Sequence, residues 1–365
     1  MSISDFAPPY VRSIAAYQPG KPISELAREM GLDEASIVKL ASNENPLGVS
    51  PLAQKAIRAV LEDLSRYPDG NGFELKQALE RRYGVGAEGI VLGNGSNDVL
   101  DLAARAFLTP RDEAIYSQHA FAVYPLAIQA IGARGIEVPA RDYGHDLEAI
   151  AGAVSGRTRL VFIANPNNPT GTFVPWNAVE SFIAGLPQAV LVVLDEAYNE
   201  YLPHAVRTDT VAWLRRFPNL VITRTFSKIY GLAGLRVGCA LASREVADLM
   251  NRVREPFNVN SMALAAAAAA IDDNDFITRT YALNLAGMKQ VTEGLTALGL
   301  EYIPSYGNFV SFRAPDAARV FQRLLEAGVI VRPIGGYGMP DHLRVSIGLE
   351  SENARFLESL KEAVS

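Results

Sequence analysis

Apolar residues fall in short unbroken runs separated by amphipathic stretches, a rhythm that starts near residue 74. The runs 89–92, 114–116, 135–138, 160–164, 189–194, 220–223 and 237–241 predict strands. Runs that do not alternate with polar residues belong to strands buried on both faces. The stretches between them predict helices over 74–83, 96–106, 122–131, 147–154 and 177–184. Such alternation gives an α/β fold, a mostly parallel sheet sandwiched by helices.

The texture changes after Pro256. A small-residue helix over 261–271 leads to a long helical pattern over 276–298. Short strands follow at 301–303, 310–312, 329–331 and 343–346, with helices over 316–326 and 352–364. This reads as a smaller α+β domain. Upstream, an arm punctuated by Pro8-Pro9 and by Pro19-Gly20-Lys21-Pro22 carries a helix over 24–30 and a brief strand over 38–40. Asn43 to Gly48 is turn-rich, and Pro51 opens a helix over 51–64. At 365 residues the chain exceeds one ordinary core. The expected division is a large domain over 46–272, and a small domain that joins the arm, 1–45, to 273–365.

Composition narrows the class. About half the residues are apolar and a fifth charged, as in soluble globular proteins. A net charge of -6 without blocks of like charge argues against nucleic-acid binding. Cys239 is the only cysteine and lies in an apolar run, so a buried inert thiol in a reducing compartment is expected. The N-terminal stretch has no secretory pattern. The most apolar stretch, 262–271, is far shorter than the roughly 20 residues of a membrane span. A soluble, cytoplasmic protein with no membrane contact is expected.

Seven lysines occur, and six lie in charged helical, extended or terminal segments. Lys228 alone sits among apolar runs, between Ser227 and a Gly-rich turn. Burial opposes a lysine's charge unless its pKa falls, and such lysines are candidate nucleophiles or Schiff-base formers. The alternative is a strand-end lysine that reaches solvent.

Ligands of α/β sheets bind beyond the carboxyl ends of the strands, and polar groups collect at several predicted ends. Gly93-Asn94-Gly95-Ser96-Asn97-Asp98 reads as a plain connection or as an anion cradle at a helix start. Asp98 stands where a dinucleotide fingerprint needs its third glycine, which disfavours a dinucleotide-dependent oxidoreductase. The turn Asn165 to Gly171 presents Asn168, or is simply a tight turn. Asp195 ends the run 189–194 and reads as a ligand carboxylate or a helix N-cap, with Tyr198 three residues on. Arg236, just before 237–241, suits a phosphate. Arg332 and Arg344 lie in apolar strands, where a charge needs an anion. An anion cradle, a ring-nitrogen carboxylate, donors for a phenolic oxygen and a lysine for an aldehyde together describe pyridoxal phosphate.

The ordered motifs Lys39-Leu40-Ala41-Ser42-Asn43-Glu44-Asn45-Pro46, Asn168-Pro169-Thr170-Gly171, Asp195-Glu196-Ala197-Tyr198 and Ser227-Lys228 through Arg236 carry a family likeness. The chain resembles the fold-type-I pyridoxal-phosphate aminotransferases, most closely the histidinol-phosphate aminotransferase family, nearly end to end. The resemblance implies Lys228 as the Schiff-base lysine and Asp195 as partner of the pyridine N–H, its pKa driven down by that cation. It implies Asn168 and Tyr198 on the phenolic oxygen. Ser227, Arg236 and the Ser96 and Asn97 backbone would hold the phosphate. Phe121 would stack on the ring where many relatives have tyrosine. Tyr67 would reach the neighbouring subunit's cofactor phosphate, which implies a homodimer with shared sites. Tyr17, Arg332 and Arg344 match positions that bind the substrate's anion. The cofactor cation and Arg236 would keep Lys228 neutral.

The implied reaction interconverts histidinol phosphate plus 2-oxoglutarate and imidazole-acetol phosphate plus glutamate, in histidine biosynthesis. The same arginines accept the carboxylate of phenylalanine or tyrosine, so aromatic amino-acid transamination stays open. Decarboxylation of a phosphorylated amino acid is a further alternative.

Overall fold

The computed structural model describes residues 2–16 and 20–365. Among them, the first strand in chain order is short, Val38–Lys39 (β1). The strands Ile90–Gly93 (β2), Glu113–Ser117 (β3), Arg134–Val138 (β4), Thr158–Ala164 (β5), Leu191–Asp195 (β6), Leu220–Thr225 (β7) and Gly238–Ala242 (β8) then form one sheet. Its order is β2-β8-β7-β6-β5-β3-β4. The neighbours from β4 to β7 pair in parallel, whereas β8 runs antiparallel to both β7 and β2.

Side-chain alternation explains why these strands lack polar positions. In β6, Val192 and Leu194 enter one core while Leu191 and Val193 enter the other. In β5, Val161 and Ile163 oppose Leu160 and Phe162 in the same way. Helices cover both faces, so each successive residue must be apolar.

The later strands Tyr302–Ile303 (β9), Phe309–Arg313 (β10), Val329–Ile330 (β11), Arg332–Pro333 (β12) and His342–Ser346 (β13) make a second region. β12-β13-β10-β9 is an antiparallel sheet. Val310, Phe312, Leu343 and Val345 pack with Phe356 and Leu360 of the last helix, Glu350–Val364. β1 pairs in parallel with β11. Beyond it, the Leu40 N–H donates to the Ile330 carbonyl at 2.8 Å, and the Ser346 N–H to the Leu40 carbonyl at 2.8 Å. These bonds carry residues 41–44 alongside the end of β13.

Several elements depart from expectation. The strand expected over 329–331 is present as Val329–Ile330, which pairs with β1, but the next two residues, Arg332–Pro333, form a separate strand of the antiparallel sheet, with Arg332 opposite Arg344. The helix expected over 51–64 ends as Pro51–Val60 and tightens into a 3-10 turn, Leu61–Asp63. A helix not foreseen, Arg244–Arg252, follows β8. Its signal was in the sequence: Ser243 accepts from the Val246 N–H, and Val246, Ala247 and Met250 form a buried stripe. Among the described residues no helix is long and apolar enough to cross a membrane.

Candidate active site

A cavity of about 240 Å³ opens at the carboxyl ends of β2, β5, β6 and β7. Ser96, Asn97, Phe121, Asn168, Asp195 and Tyr198 line it from these ends and the loops that follow them. Ser227, Lys228 and Arg236 line it after β7, and Arg332 and Arg344 from the second region. Eleven of the thirteen expected residues therefore share one site. Arg236 arrives there because β8 is reversed: the start of an antiparallel strand lies beside the ends of its neighbours.

Asp195 is held at the floor. β-pairing sets it beside Ala164 of β5 and Thr223 of β7. Thr223 Oγ1 donates to Asp195 Oδ1 at 2.9 Å, and the Tyr124 hydroxyl to Oδ2 at 2.8 Å. Tyr124 is itself fixed by stacking on Phe162, with ring centroids 4.6 Å apart. The carboxyl pKa lies above its ordinary value because burial outweighs the Tyr124, Thr223 and Ala197 N–H hydrogen bonds. The expected lowering depends on a pyridinium beside the carboxylate, and the protein's own groups do not produce it. Two hydroxyl donors do not replace water around a buried carboxylate, and a cation beside it would reverse the balance.

Lys228 lies half-buried, its Nζ donating to the Ser42 carbonyl at 2.9 Å. Its pKa is pushed down to about 7, first by burial and next by the Arg344 guanidinium. Glu44 opposes the fall, and Arg236 and Lys39 add to it. Arg344, rather than Arg236, is thus the leading cation.

At one end of the cavity, Ser96 begins the helix Ser96–Phe107, whose first-turn N–H groups have no intrahelical acceptor. Arg236 NH1 donates to Ser227 Oγ at 3.2 Å. A Cβ on Gly95 would lie 2.3 Å from Arg236 NH2, and Gly95 adopts φ +86°, so only glycine lets the guanidinium sit over this turn. A Cβ on Gly238 would lie 2.5 Å from the Ser96 nitrogen. These two glycines press a guanidinium, a helix N-terminus and Ser227 around one spot, an arrangement suited to a phosphate.

At the other end, Arg344 is buried. Its NH1 donates to Asn168 Oδ1 at 2.5 Å and its NH2 to the Ala41 carbonyl at 2.8 Å. Arg332 pairs with Arg344 across β12 and β13, and a Cβ on Gly20 would lie 3.4 Å from its NH1. The Tyr198 hydroxyl accepts from Asn43 Nδ2 at 2.9 Å, and burial raises its pKa to about 12. Phe121 meets Tyr124 edge-on at 6.0 Å.

Two expected residues remain. Tyr17 falls outside the described residues. Tyr67 is not in the cavity: it is 83% exposed and stacks on Phe257 at 4.8 Å. Three residues escaped the sequence reading, namely Tyr124, Thr223 and Asn43. Tyr124 follows Phe121 by three positions, and Thr223 is the one polar residue of the run 220–223, signals that were available. Asn43 was visible as part of a turn and of a family motif, without a role of its own. Cys239 is buried with its thiol pKa raised to about 12, inert as expected.

The chain matches the model of the aminotransferase class I and II family over residues 35–360. It is 63% identical over 365 residues to histidinol-phosphate aminotransferase 2 of Nitrosospira multiformis, covering 100% of this chain and 93% of that protein. A histidinol-phosphate aminotransferase of Methylobacillus flagellatus is 63% identical over 358 residues, with 98% of this chain and 97% of that one covered. Among solved structures, a histidinol-phosphate aminotransferase from Sinorhizobium meliloti in complex with pyridoxal-5'-phosphate superposes with a TM-score of 0.90. It shares 29% identity and covers 100% of this chain and 98% of that one. A match to the family model across most of the chain leaves no ambiguity: the protein belongs to the class I and II aminotransferases.

Proposed function

We propose that the protein is a pyridoxal-phosphate-dependent aminotransferase that interconverts histidinol phosphate plus 2-oxoglutarate and imidazole-acetol phosphate plus glutamate, a step of histidine biosynthesis. The observation that carries this reading is one cavity uniting a lysine of pKa about 7, a buried carboxylate and two substrate-side arginines. The full-length similarity to curated histidinol-phosphate aminotransferases supports the substrate.

Pyridoxal phosphate fits these residues. Asp195 carries a desolvated charge that a pyridinium would neutralise. The cradle of Gly95, Ser96, Ser227 and Arg236 leaves room for a phosphate where a Cβ would not fit. When bound, the cofactor supplies a protonated ring that accepts electrons as the substrate's Cα proton leaves. Asp195 would keep that ring nitrogen protonated. Asn168 and Tyr198 would serve the phenolic oxygen, and Phe121 would stack on the ring. Ser227, Arg236 and the Ser96 and Asn97 N–H groups would hold the phosphate.

Lys228 would hold the cofactor through its Nζ. With its pKa pushed down to about 7, that amine is largely neutral slightly above neutral pH and would serve as the base for the substrate Cα proton. Arg332 and Arg344 bind the phosphate of one substrate and the carboxylate of the other, because a planar guanidinium forks onto either.

The protein works as a cytoplasmic homodimer, with Tyr67 reaching the partner subunit's phosphate; its 83% exposure leaves it accessible to a second copy. The division into 46–272 and 1–45 with 273–365 is supported by the β1–β11 pairing, which ties the arm to the second region.

The test follows the bound cofactor's absorbance. Histidinol phosphate or glutamate should bleach it, and an oxo acid should restore it. kcat/KM for histidinol phosphate should exceed that for phenylalanine. Bleaching by phenylalanine alone would reassign the substrate, and no bleaching by any amine would sink the reading.

A further inference from the structure

Asn43 stands in the loop between β1 and the helix Pro51–Val60, and it touches three parts of the fold at once. Its backbone N–H donates to Ser346 Oγ at 2.7 Å. The Ser346 hydroxyl donates to Asn43 Oδ1 at 3.1 Å. Asn308 Nδ2 donates to the Asn43 carbonyl at 3.0 Å. The remaining group, Nδ2, donates to the Tyr198 hydroxyl oxygen at 2.9 Å. Asn43 is 1% exposed and holds φ +54°, a backbone that asparagine and aspartate tolerate better than alanine.

The chemistry of this chain of bonds is directional. Ser346 already accepts the backbone N–H, so its single proton goes to Oδ1 and fixes which end of the amide faces Tyr198. An amide nitrogen is a donor only. The Tyr198 oxygen therefore accepts from Asn43, and its own proton must be given elsewhere. Tyr198 lines the cavity.

We propose that Asn43 is a positioning residue: by donating to the Tyr198 oxygen it aims the Tyr198 proton into the cavity, where it meets the cofactor's phenolic oxygen. The inference rests on the pyridoxal-phosphate reading. The bond from Asn43 also opposes the rise that burial causes in the Tyr198 pKa.

The test is a double-mutant cycle on the Kd of pyridoxal phosphate for the whole 365-residue chain, stripped and reloaded. Asn43→Asp keeps the shape, the φ and the Ser346 bond, but turns the donor into an acceptor that captures the Tyr198 proton. It should raise Kd at least about tenfold, more than Asn43→Ala, which should raise it about threefold. In a Tyr198→Phe background both changes should fall within about twofold.

A merely structural asparagine gives the opposite order, alanine worse than aspartate, and equal losses in both backgrounds. Either result overturns the proposal. So does an unaltered Kd in Asn43→Asp. Melting curves check the fold, and if Asn43→Asp unfolds, the cycle runs on Asn43→Ala alone. Failure of the unaltered chain to bind pyridoxal phosphate at all would instead overturn the function on which the inference rests.

Discussion

Lys228 offers the sharpest quantitative test. An ordinary lysine amine has a pKa near 10.5, and here burial, Arg344 and Arg236 bring it to about 7. At pH 7.5 a group of pKa 7 is about three-quarters neutral, whereas an unperturbed lysine is about 0.1% neutral, a ratio on the order of 700. Only the neutral amine attacks an aldehyde. The assay is the rate at which cofactor-free protein captures pyridoxal phosphate between pH 5.5 and 10, followed by absorbance. A depressed lysine pKa means that the reactive form is lost as pH falls, so the rate should climb to a plateau with its midpoint near 7.

Replacing the cations and the anion around Lys228 separates the causes. Arg344→Gln and Arg236→Gln should each move the midpoint up, Arg344→Gln further. Glu44→Gln should move it down, since Glu44 favours the charged amine and also pairs with Lys39 at 3.0 Å. A rate that still rises through pH 9 in the unaltered protein would refute the reasoning, because Lys228 would then behave as a solvated lysine. So would a downward shift in Arg344→Gln.

Three further outcomes follow from other contacts. Mixing inactive Tyr67→Ala and Lys228→Ala proteins and reassembling them should restore part of the activity, since one of the two sites in a mixed dimer is intact; activity that stays at zero in verified mixed dimers counts against a shared site. Glu196 is fully buried against Arg224, with Thr210 donating to it at 2.6 Å. Glu196→Ala should lower stability by about 3–5 kcal/mol in urea unfolding, and adding Arg224→Met should recover part of it, because the buried guanidinium is left with Glu200 alone at 3.3 Å. Gly238→Ala places a methyl against the Ser96 nitrogen and should cost about 1–3 kcal/mol of stability while weakening the Kd of pyridoxal phosphate; an unchanged Kd would show that the Ser96 turn does not hold the phosphate.

Much of the site was legible because its chemistry is local in sequence. The glycine turn before Ser96, the stiff turn around Asn168, and Asp195 at the end of an apolar strand each combine a backbone signal with a polar side chain. In an α/β sheet those ends meet by construction. What was missed follows from contacts of high sequence separation. The bond between Asn43 and Tyr198 spans 155 positions, and that between Tyr124 and Asp195 spans 71. No local pattern encodes either. The raised Asp195 pKa was not legible for a related reason: burial is a property of the assembled sheet, and among the protein's own groups it prevails over the hydrogen-bond donors.

The sequence by itself determined the class of fold, because runs of apolar residues without alternation leave no face for solvent. It also determined that Lys228 would be unusual, since no other lysine lies among such runs. Tertiary structure decided the rest. Reversal of β8 brought Arg236 to the cavity instead of to the opposite edge of the sheet. The change of sheet after Val329–Ile330, to the separate strand Arg332–Pro333, set Arg332 beside Arg344. Burial, with Arg344 as the leading cation, then brought the Lys228 pKa to about 7. Strand direction, strand ends and dielectric surroundings all depend on which segments pair, and pairing is settled by long-range packing that a linear pattern does not contain.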